Sequence, residues 1–393
     1  MEEAAAPLSG IEVDDIVDLT RRLVAIPSMN PPGDTRAACR IVAKELRAAG
    51  FTVRSFEETP GFESVIGEFS FPAPGRTLLF NGHLDVVPIG DDEWQHDPWT
   101  ATLSAGKLSG RGTLDMKGPL AAVIVAARAA LSGNGALHGK LVIAAVADEE
   151  QGGERGTGAL VRHGLLHADG AVVVEPSDGG IVIGHRGLCF LELTTHGRSA
   201  HASMPSEGIN AVDRMVDVLT AMRSLDLTHL PHPALGGPGV VAGTTIRGGL
   251  KSNVIPASCI ATVDVRTVPG MTRDGVVSDV EQHLAAAGLE VGCDVTVRAT
   301  SWGEPGETNP GAEIVRVCYD AHRRAFGSDP AIGYMPAYTD GGWLANGAGI
   351  PTVMAFGPGG IAGCHVTDEH VDVAELAAYA QVYRDVIESF LGR

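Results

Sequence analysis

The sequence is short of aromatic residues and of positive charge. Aromatics make up 5% of its 393 residues, which does not favour a large aromatic pocket, although a few side chains suffice to shape one. Lys and Arg total 29 against 48 Asp and Glu, a formal net charge of −19. So acidic a chain is repelled by a nucleic-acid backbone or an anionic membrane surface. No apolar run approaches the ~20 residues of a membrane span. The stretch Met1-Glu2-Glu3-Ala4-Ala5-Ala6-Pro7 lacks the basic residues that open a secretory leader. A cytoplasmic protein is expected. The six cysteines, Cys39, Cys189, Cys259, Cys293, Cys318 and Cys364, form no Cys-x-x-Cys pair, so neither a disulfide framework nor a structural zinc knuckle is expected. Internal repeats are absent. So are the Walker and dinucleotide fingerprints, which leaves Gly110-Arg111-Gly112 as a tight turn rather than a phosphate loop.

What the chain does have is a series of apolar runs that stop at acids or histidines. Thr77-Leu78-Leu79-Phe80 reads as a buried strand leading into Asn81-Gly82-His83-Leu84-Asp85. Side chains alternate along a strand, so His83 and Asp85 are expected to share a face while Leu84 and Val86 turn to the core. A neutral imidazole is a common metal ligand, and a carboxylate beside it fixes its tautomer. The rival reading of His-x-Asp alone is a core-edge histidine with an unrelated aspartate. Residues 141–147 form an unbroken apolar run, as expected of a strand covered on both faces, and end in Asp148-Glu149-Glu150. Residues 171–174 repeat the pattern and end in Glu175-Pro176. In the loop from Gly110 to Gly118, glycines allow the tight turn that lets Asp115 face inward. The carboxyl ends of buried strands are where α/β sheets place ligand-binding groups. His83, Asp85, Asp115, Glu149, Glu150, Glu175 and the late His365 offer nitrogen and carboxylate oxygen without thiolate, a donor set suited to zinc, cobalt or manganese at a catalytic centre.

Helical spacing at Ile16, Leu19, Leu23 and Val24 predicts an opening helix, and Asp34 or Thr35 caps a second that runs to about Ala49. Further helices are expected over 119–131, 310–326 and 373–391, with another starting near Thr339. Between 188 and 300 the texture changes. A strand over 188–195 is followed by a helix over 210–225, strands over 240–246 and 260–268, a helix over 272–287 and a strand over 295–300. That β-α-β-β-α-β order is the ferredoxin-like arrangement, here inserted into a first domain.

As a set, His83-Leu84-Asp85, the Gly110 to Gly118 loop, Asp148-Glu149-Glu150, Glu175-Pro176, Gly197-Arg198-Ser199-Ala200-His201 and His365 resemble, in order and context, a dinuclear metallohydrolase family. It includes acetylornithine deacetylase, succinyl-diaminopimelate desuccinylase, aminoacylases and glutamate-releasing carboxypeptidases. The likeness spans nearly the whole chain. It implies an α/β fold, with a metallopeptidase-type catalytic domain of mixed central sheet and flanking helices over 1–186 and 302–393. An inserted ferredoxin-like α+β domain over 187–301 would serve as lid and dimerisation surface.

The resemblance also implies two divalent ions, zinc first and cobalt or manganese as alternatives. Asp115 would bridge them, His83 and Glu175 would complete one site, and Glu150 and His365 the other. Glu149 matches the general base that takes a proton from a metal-bridged water or hydroxide and passes it to the leaving nitrogen. Asp85 matches the aspartate behind the ligand histidine. In the inserted domain, His201 matches a histidine that stabilises the tetrahedral oxyanion, often across a dimer, and Asn253 a substrate-contacting asparagine. Arg266 matches an arginine able to grip a substrate carboxylate, with a structural ion pair as its rival. Gly341, in Thr339-Asp340-Gly341-Gly342, falls in a segment near the substrate side chain. The implied reaction is removal of the acyl group from an N-acyl amino acid or a related carboxylate-bearing metabolite. A carboxypeptidase or dipeptidase is the alternative, and a non-catalytic binding relative a third reading. The expected partners are a small-molecule substrate and a second copy of the chain, with no nucleic acid and no membrane. Cys364, before His365, departs from the small or aliphatic residue usual there.

Overall fold

The computed structural model describes residues 10–133, 135–227 and 231–392, so the acidic stretch over 1–7 lies outside the described residues. The chain divides into two compact units. One comprises residues 1–185, 306–335 and 339–393, and the other residues 186–305 with 336–338.

The first unit is built on a six-stranded sheet in the order Thr52–Phe56, Ser64–Ser70, Lys140–Val146, Thr77–His83, Gly170–Val173, Thr352–Val353. The first two pairings are antiparallel and the remaining three parallel. The parallel strands are buried along almost their whole length, as their unbroken apolar runs require. Thr77–His83 lies between Lys140–Val146 and Gly170–Val173, so the chain leaves it first to one side and then to the other. That reversal is the topological switch point at which open α/β sheets hold ligands, outside the strands' carboxyl ends. The helix Lys117–Ser132 buries Leu120, Val123, Ile124 and Ala127 together, and a helix apolar on nearly all sides belongs in the interior. It packs against the terminal helix Val373–Leu391, which buries Tyr379, Tyr383 and Phe390 and is capped by Asp372, whose carboxylate accepts from the Ala374 and Glu375 amides. A small sheet in the order His370–Asp372, Lys107–Ser109, Thr102–Ser104 joins the segments just before Asp115 and just after His365. Its three-residue strands are too short to show a period, and none was expected from the sequence.

The second unit has the ferredoxin-like order. Gly187–His196, Ala211–Met222, Gly239–Gly248, Ser258–Thr267, Arg273–Ala286 and Val295–Gly303 follow one another, and the all-antiparallel sheet runs Gly239–Gly248, Ser258–Thr267, Gly187–His196, Val295–Gly303. Burial alternates along Ser258–Thr267, as a sheet with one covered face demands. Its helices are capped by Asn210 and Thr272, whose side chains accept from amides of the first turns. A two-residue ribbon pairs Ala200–His201 with Val254–Ile255.

The helix expected to start near Thr339 is present but short: residues 341–347 are helical, the last five as the π-type turn Trp343–Gly347, and the Thr339 hydroxyl accepts from the Gly341 amide at 3.1 Å while donating to the Met354 carbonyl. Of the two residues expected to cap the helix Arg36–Ala48, Asp34 accepts from the Arg36 amide at 3.1 Å, whereas the Thr35 hydroxyl donates to the Glu63 carbonyl at 2.6 Å and caps nothing. Among the described residues no helix is long and apolar enough to cross a membrane.

Candidate metal centre

The site assembles where the parallel strands end. His83 is the last residue of its strand and is paired with Val146. Its Nδ1 donates to the main-chain oxygen of Asp85 at 2.8 Å, whereas the Asp85 carboxylate lies 3.8 Å away. Asp85 falls two residues beyond the strand's last paired residue, and its carbonyl rather than the expected carboxylate holds the imidazole. This leaves Nε2 facing Asp115 Oδ1 at 2.9 Å, Glu175 Oε1 at 3.4 Å and Glu149 Oε2 at 3.9 Å. The other Asp115 oxygen, Oδ2, lies 3.2 Å from His365 Nε2, which is also 3.1 Å from Glu150 Oε2. Ligand atoms of His83, Asp115 and Glu175 lie within 4.8 Å of one another, as do those of Asp115, Glu150 and His365. Asp115 belongs to both groups, and Glu149 to neither.

Electrostatics test whether this donor set suits divalent cations. Burial pushes Asp85 up to about 6 and Glu175 to about 7, the latter helped by the charge of Asp115. Burial, then repulsion from Glu175 and Glu150, raises Glu149 well above the usual carboxylate range. Burial pulls His83 down, but its hydrogen bonds to Asp115 and Glu175 outweigh that and raise it. Hydrogen bonds to Asp115 and Glu150 lift His365 to about 10. Carboxylates and imidazoles displaced in this sense are short of positive charge, and a pair of dications bound by these nitrogens and oxygens supplies it. The residues present fit such a pair.

Several groups that hold this cluster were not singled out from the sequence. Asn30 donates through Nδ2 to Asp85 Oδ2 at 2.9 Å and to Asp148 Oδ1 at 3.2 Å. Arg155 grips Asp148 through Nε and Nη2 and lies 3.7 Å over the Phe62 ring. Lys117 is fully buried and donates to the Ile26 carbonyl at 2.8 Å, and burial lowers it to about 7. Glu369 accepts from the Gly112, Leu114 and Asp115 amides and from Arg111. An asparagine before a proline and a lone glutamate carry no spacing that marks them. The only sequence signal is that Lys117 lies within the Gly110 to Gly118 loop and Glu369 four residues after His365; nothing marked Asn30.

The remaining candidates sort by unit. Gly341 is packed against Met354, where a Cβ would meet the Met354 sulfur at 2.5 Å. Its neighbour Asp340 accepts from Thr157, which accepts from Asn81 in the central sheet. Cys364 is half-buried, 3.8 Å from the Gly360 carbonyl, and belongs to neither metal-competent group. His201, Asn253 and Arg266 lie in the second unit. His201 is exposed, and its Nδ1 accepts from the Ser203 amide, which places the ring proton on Nε2. The Asn253 carbonyl accepts from the Ala202 amide, tying the two candidates to one ribbon. Arg266 forks onto Asp264 at 2.9 and 3.2 Å, so the structural ion pair exists.

A desuccinylase named succinyl-diaminopimelate desuccinylase 2, from Ruegeria sp. (strain TM1040), is 31% identical over 402 residues, covering 100% of this chain and 99% of that protein. The N-formyl-4-amino-5-aminomethyl-2-methylpyrimidine deformylase of Bacillus subtilis (strain 168) is 28% identical, covering 97% and 95%. In fold, the chain is similar to an M20 family metallo-carboxypeptidase from Sulfolobus solfataricus, with a TM-score of 0.80 at 18% identity over 96% of this chain and 99% of that one. The profile of Peptidase family M20/M25/M40 matches residues 79–389, a span that opens on the His83 strand and closes within the terminal helix. The chain is therefore an amide-bond hydrolase belonging to Peptidase family M20/M25/M40.

Proposed function

We propose that this chain removes the acyl group from an N-acyl amino acid or a related carboxylate-bearing metabolite. His83, Asp115 and Glu175 would hold one divalent ion and Asp115, Glu150 and His365 a second, zinc first and cobalt or manganese as alternatives. One observation carries the reading: Asp115 faces His83 with one oxygen and His365 with the other, while Glu149 stands beside them outside both groups. When bound, the ions supply Lewis acidity, polarising the scissile carbonyl and acidifying water.

The chain's own residues supply the rest. Glu149, buried and with no ligand role, takes the proton of the attacking water and delivers it to the leaving nitrogen. The Asp85 main-chain oxygen keeps the His83 Nε2 lone pair turned to the cluster, and the Asp85 carboxylate, held by Asn30 and the Glu150 amide, fixes that turn of chain. His201, with its proton on Nε2, donates to the developing oxyanion. Asn253 and Arg266 bind the substrate, the latter through its carboxylate, and the tightly packed Gly341 fixes the loop beside the substrate side chain. The sheet order leaves Gly239–Gly248 at an edge with Ile246 exposed, which supports a homodimer formed through the second unit; sedimentation of an active monomer would refute it.

Two relatives that match end to end are named a desuccinylase and a deformylase, which favours acyl removal. The fold neighbour is named a carboxypeptidase, which keeps a carboxypeptidase or dipeptidase as the second reading. The test is release of free amine from N-acetyl, N-succinyl and N-formyl amino acids and unblocked dipeptides, using chelated protein refilled with zinc, cobalt or manganese. Metal-dependent cleavage of one blocked class supports the first reading. Preference for dipeptides installs the second, and no cleavage by protein carrying two ions removes both.

A further inference from the structure

Glu369 is 1% exposed and its carboxylate is saturated by one loop. Oε1 accepts from the amides of Gly112 at 2.9 Å, Leu114 at 2.9 Å and Asp115 at 3.1 Å, and Oε2 accepts from Arg111 Nη1 at 2.6 Å. The Gly110 amide donates to the Glu369 main-chain oxygen at 2.8 Å. Next to it, His370–Asp372 pairs antiparallel with Lys107–Ser109. The loop therefore curls around a single carboxylate, and Gly112, at φ +90°, supplies the backbone conformation this needs. The amide of Asp115 is one of the groups held. Four residues before Glu369 in the chain stands His365.

We propose that Glu369 is a positioning residue: it locks the loop that presents Asp115 to the segment that presents His365, and so sets the relation between the two cation sites. The inference rests on the two-site reading given above. Its physical basis is an asymmetry in how the ligands are held. His83 and Glu175 come from the ends of neighbouring parallel strands, which keep their register without help. Asp115 and His365 both come from loops, and the carboxylate of Glu369 is what joins those loops at short range. Replacing it by glutamine keeps the shape but not the chemistry. An amide can offer its oxygen to either the main-chain amides or Arg111, and turns its NH2 donor against the other. Arg111, 2% exposed, then loses its counter-charge.

The experiment is titration of the metal-free full-length protein with Co2+, followed by calorimetry and by the visible spectrum, for the wild type and Glu369→Gln. The expected result is selective: affinity for the second ion falls roughly 10- to 100-fold, the range for groups that orient metal ligands, while affinity for the first stays within about threefold and the apo-protein retains its fold. Equal weakening at both sites, with a lowered melting temperature, would make Glu369 a general structural residue and overturn the proposal. Unchanged binding of both ions would overturn it too. A wild type that binds fewer than two ions refutes the two-site reading itself, a failure distinct from the other two. Should Glu369→Gln not fold, Arg111→Gln carries the test, since it strips the cation from Oε2 and leaves Oε1 on its amides. The same selective loss is expected from it, and its absence overturns the proposal.

Discussion

Glu149→Gln separates a general base from a ligand. Glu149 belongs to neither metal-competent group, and its nearest approach to the cluster histidines is 3.9 Å, to His83 Nε2. Glutamine matches it in size, so the packing of this buried side chain is kept. Only its capacity to take a proton is lost, and with it one of the negative charges that crowd the site. Both ions should therefore remain bound. A positioned base contributes roughly 10² to 10⁴ in rate, so kcat should fall by that factor, equivalent to about 3 to 5 kcal/mol of lost transition-state stabilisation at ~1.36 kcal/mol per decade. The loss belongs to the chemical step, so kcat and kcat/KM should fall together and KM should barely move.

The assay is amine release from the best substrate of the panel, paired with metal content by mass spectrometry on the same preparations. Glu149→Asp adds a graded point. It keeps a carboxylate but withdraws it by one carbon–carbon bond, ~1.5 Å, and a misplacement of ~1 Å can cost ~10²-fold. The expected order is wild type, Asp, Gln, with two ions throughout. A Gln variant within about tenfold of the wild-type kcat and carrying both ions refutes the base assignment, since even the low end of the range for a positioned base is ~10². A variant that loses activity together with one ion shows that Glu149 is a ligand.

Three further outcomes follow from the same structure. Burial lowers the pKa of His322, which packs 4.5 Å from the Phe326 ring and whose Nδ1 has no hydrogen-bond partner. The folded state thus binds its proton less well than the unfolded one, and the associated stability, present above the ordinary value of 6.5, is lost as pH falls through and below it. Urea midpoints at pH 7.5 and 5.0 should diverge less for His322→Phe than for the wild type; identical pH slopes would show that His322 does not contribute. Gly341→Ala places a Cβ 2.5 Å from the Met354 sulfur and 3.0 Å from its Cα, so a loss of roughly 1–3 kcal/mol from overpacking should appear as a lower melting temperature; an unshifted melt would mean that the loop moves freely. Cys364→Ser should leave metal stoichiometry and the Zn2+ to Co2+ preference unchanged, because Cys364 borders Asp115 but supplies no ligand atom to either group, and serine keeps a hydrogen-bond donor beside that carboxylate. A changed preference, measured by competition between the two ions, would bring the thiol into the centre.

The residues that face the cluster were legible for a topological reason. An apolar run that stops at an acid marks both a buried strand and the polarity of its end, and parallel strands bring like ends together without any knowledge of side-chain packing. His83, Glu149, Glu150 and Glu175 are of this kind. Asp115 and His365 sit in loops, where no strand period points to them; the glycines around Asp115 and resemblance to a family were needed to include them. Glu369, Asn30 and Arg155 escaped because their meaning exists only after folding: Glu369 meets its loop across 254 to 258 residues, and Asn30 meets Asp85 and Asp148 across 55 and 118.

That division has a physical content beyond this chain. Groups that meet a cation are chosen by donor type, which a sequence displays directly. Groups that hold those donors are chosen by whatever hydrogen bond the tertiary register leaves unmade, and a carboxylate, an amide or a main-chain carbonyl can each serve. At His83 a carbonyl serves, although the carboxylate two residues along had seemed the natural partner. At Asp115 the holder is Glu369, which grips main-chain amides rather than the ligand's own side chain. A holder that acts through the backbone is indifferent to the identity of the residues it grips, and so leaves no pattern in them. Its effect has to be sought in the spacing of the two sites rather than in their composition, which is why the selective loss of the second ion, and not the loss of activity, is the measurement that distinguishes it.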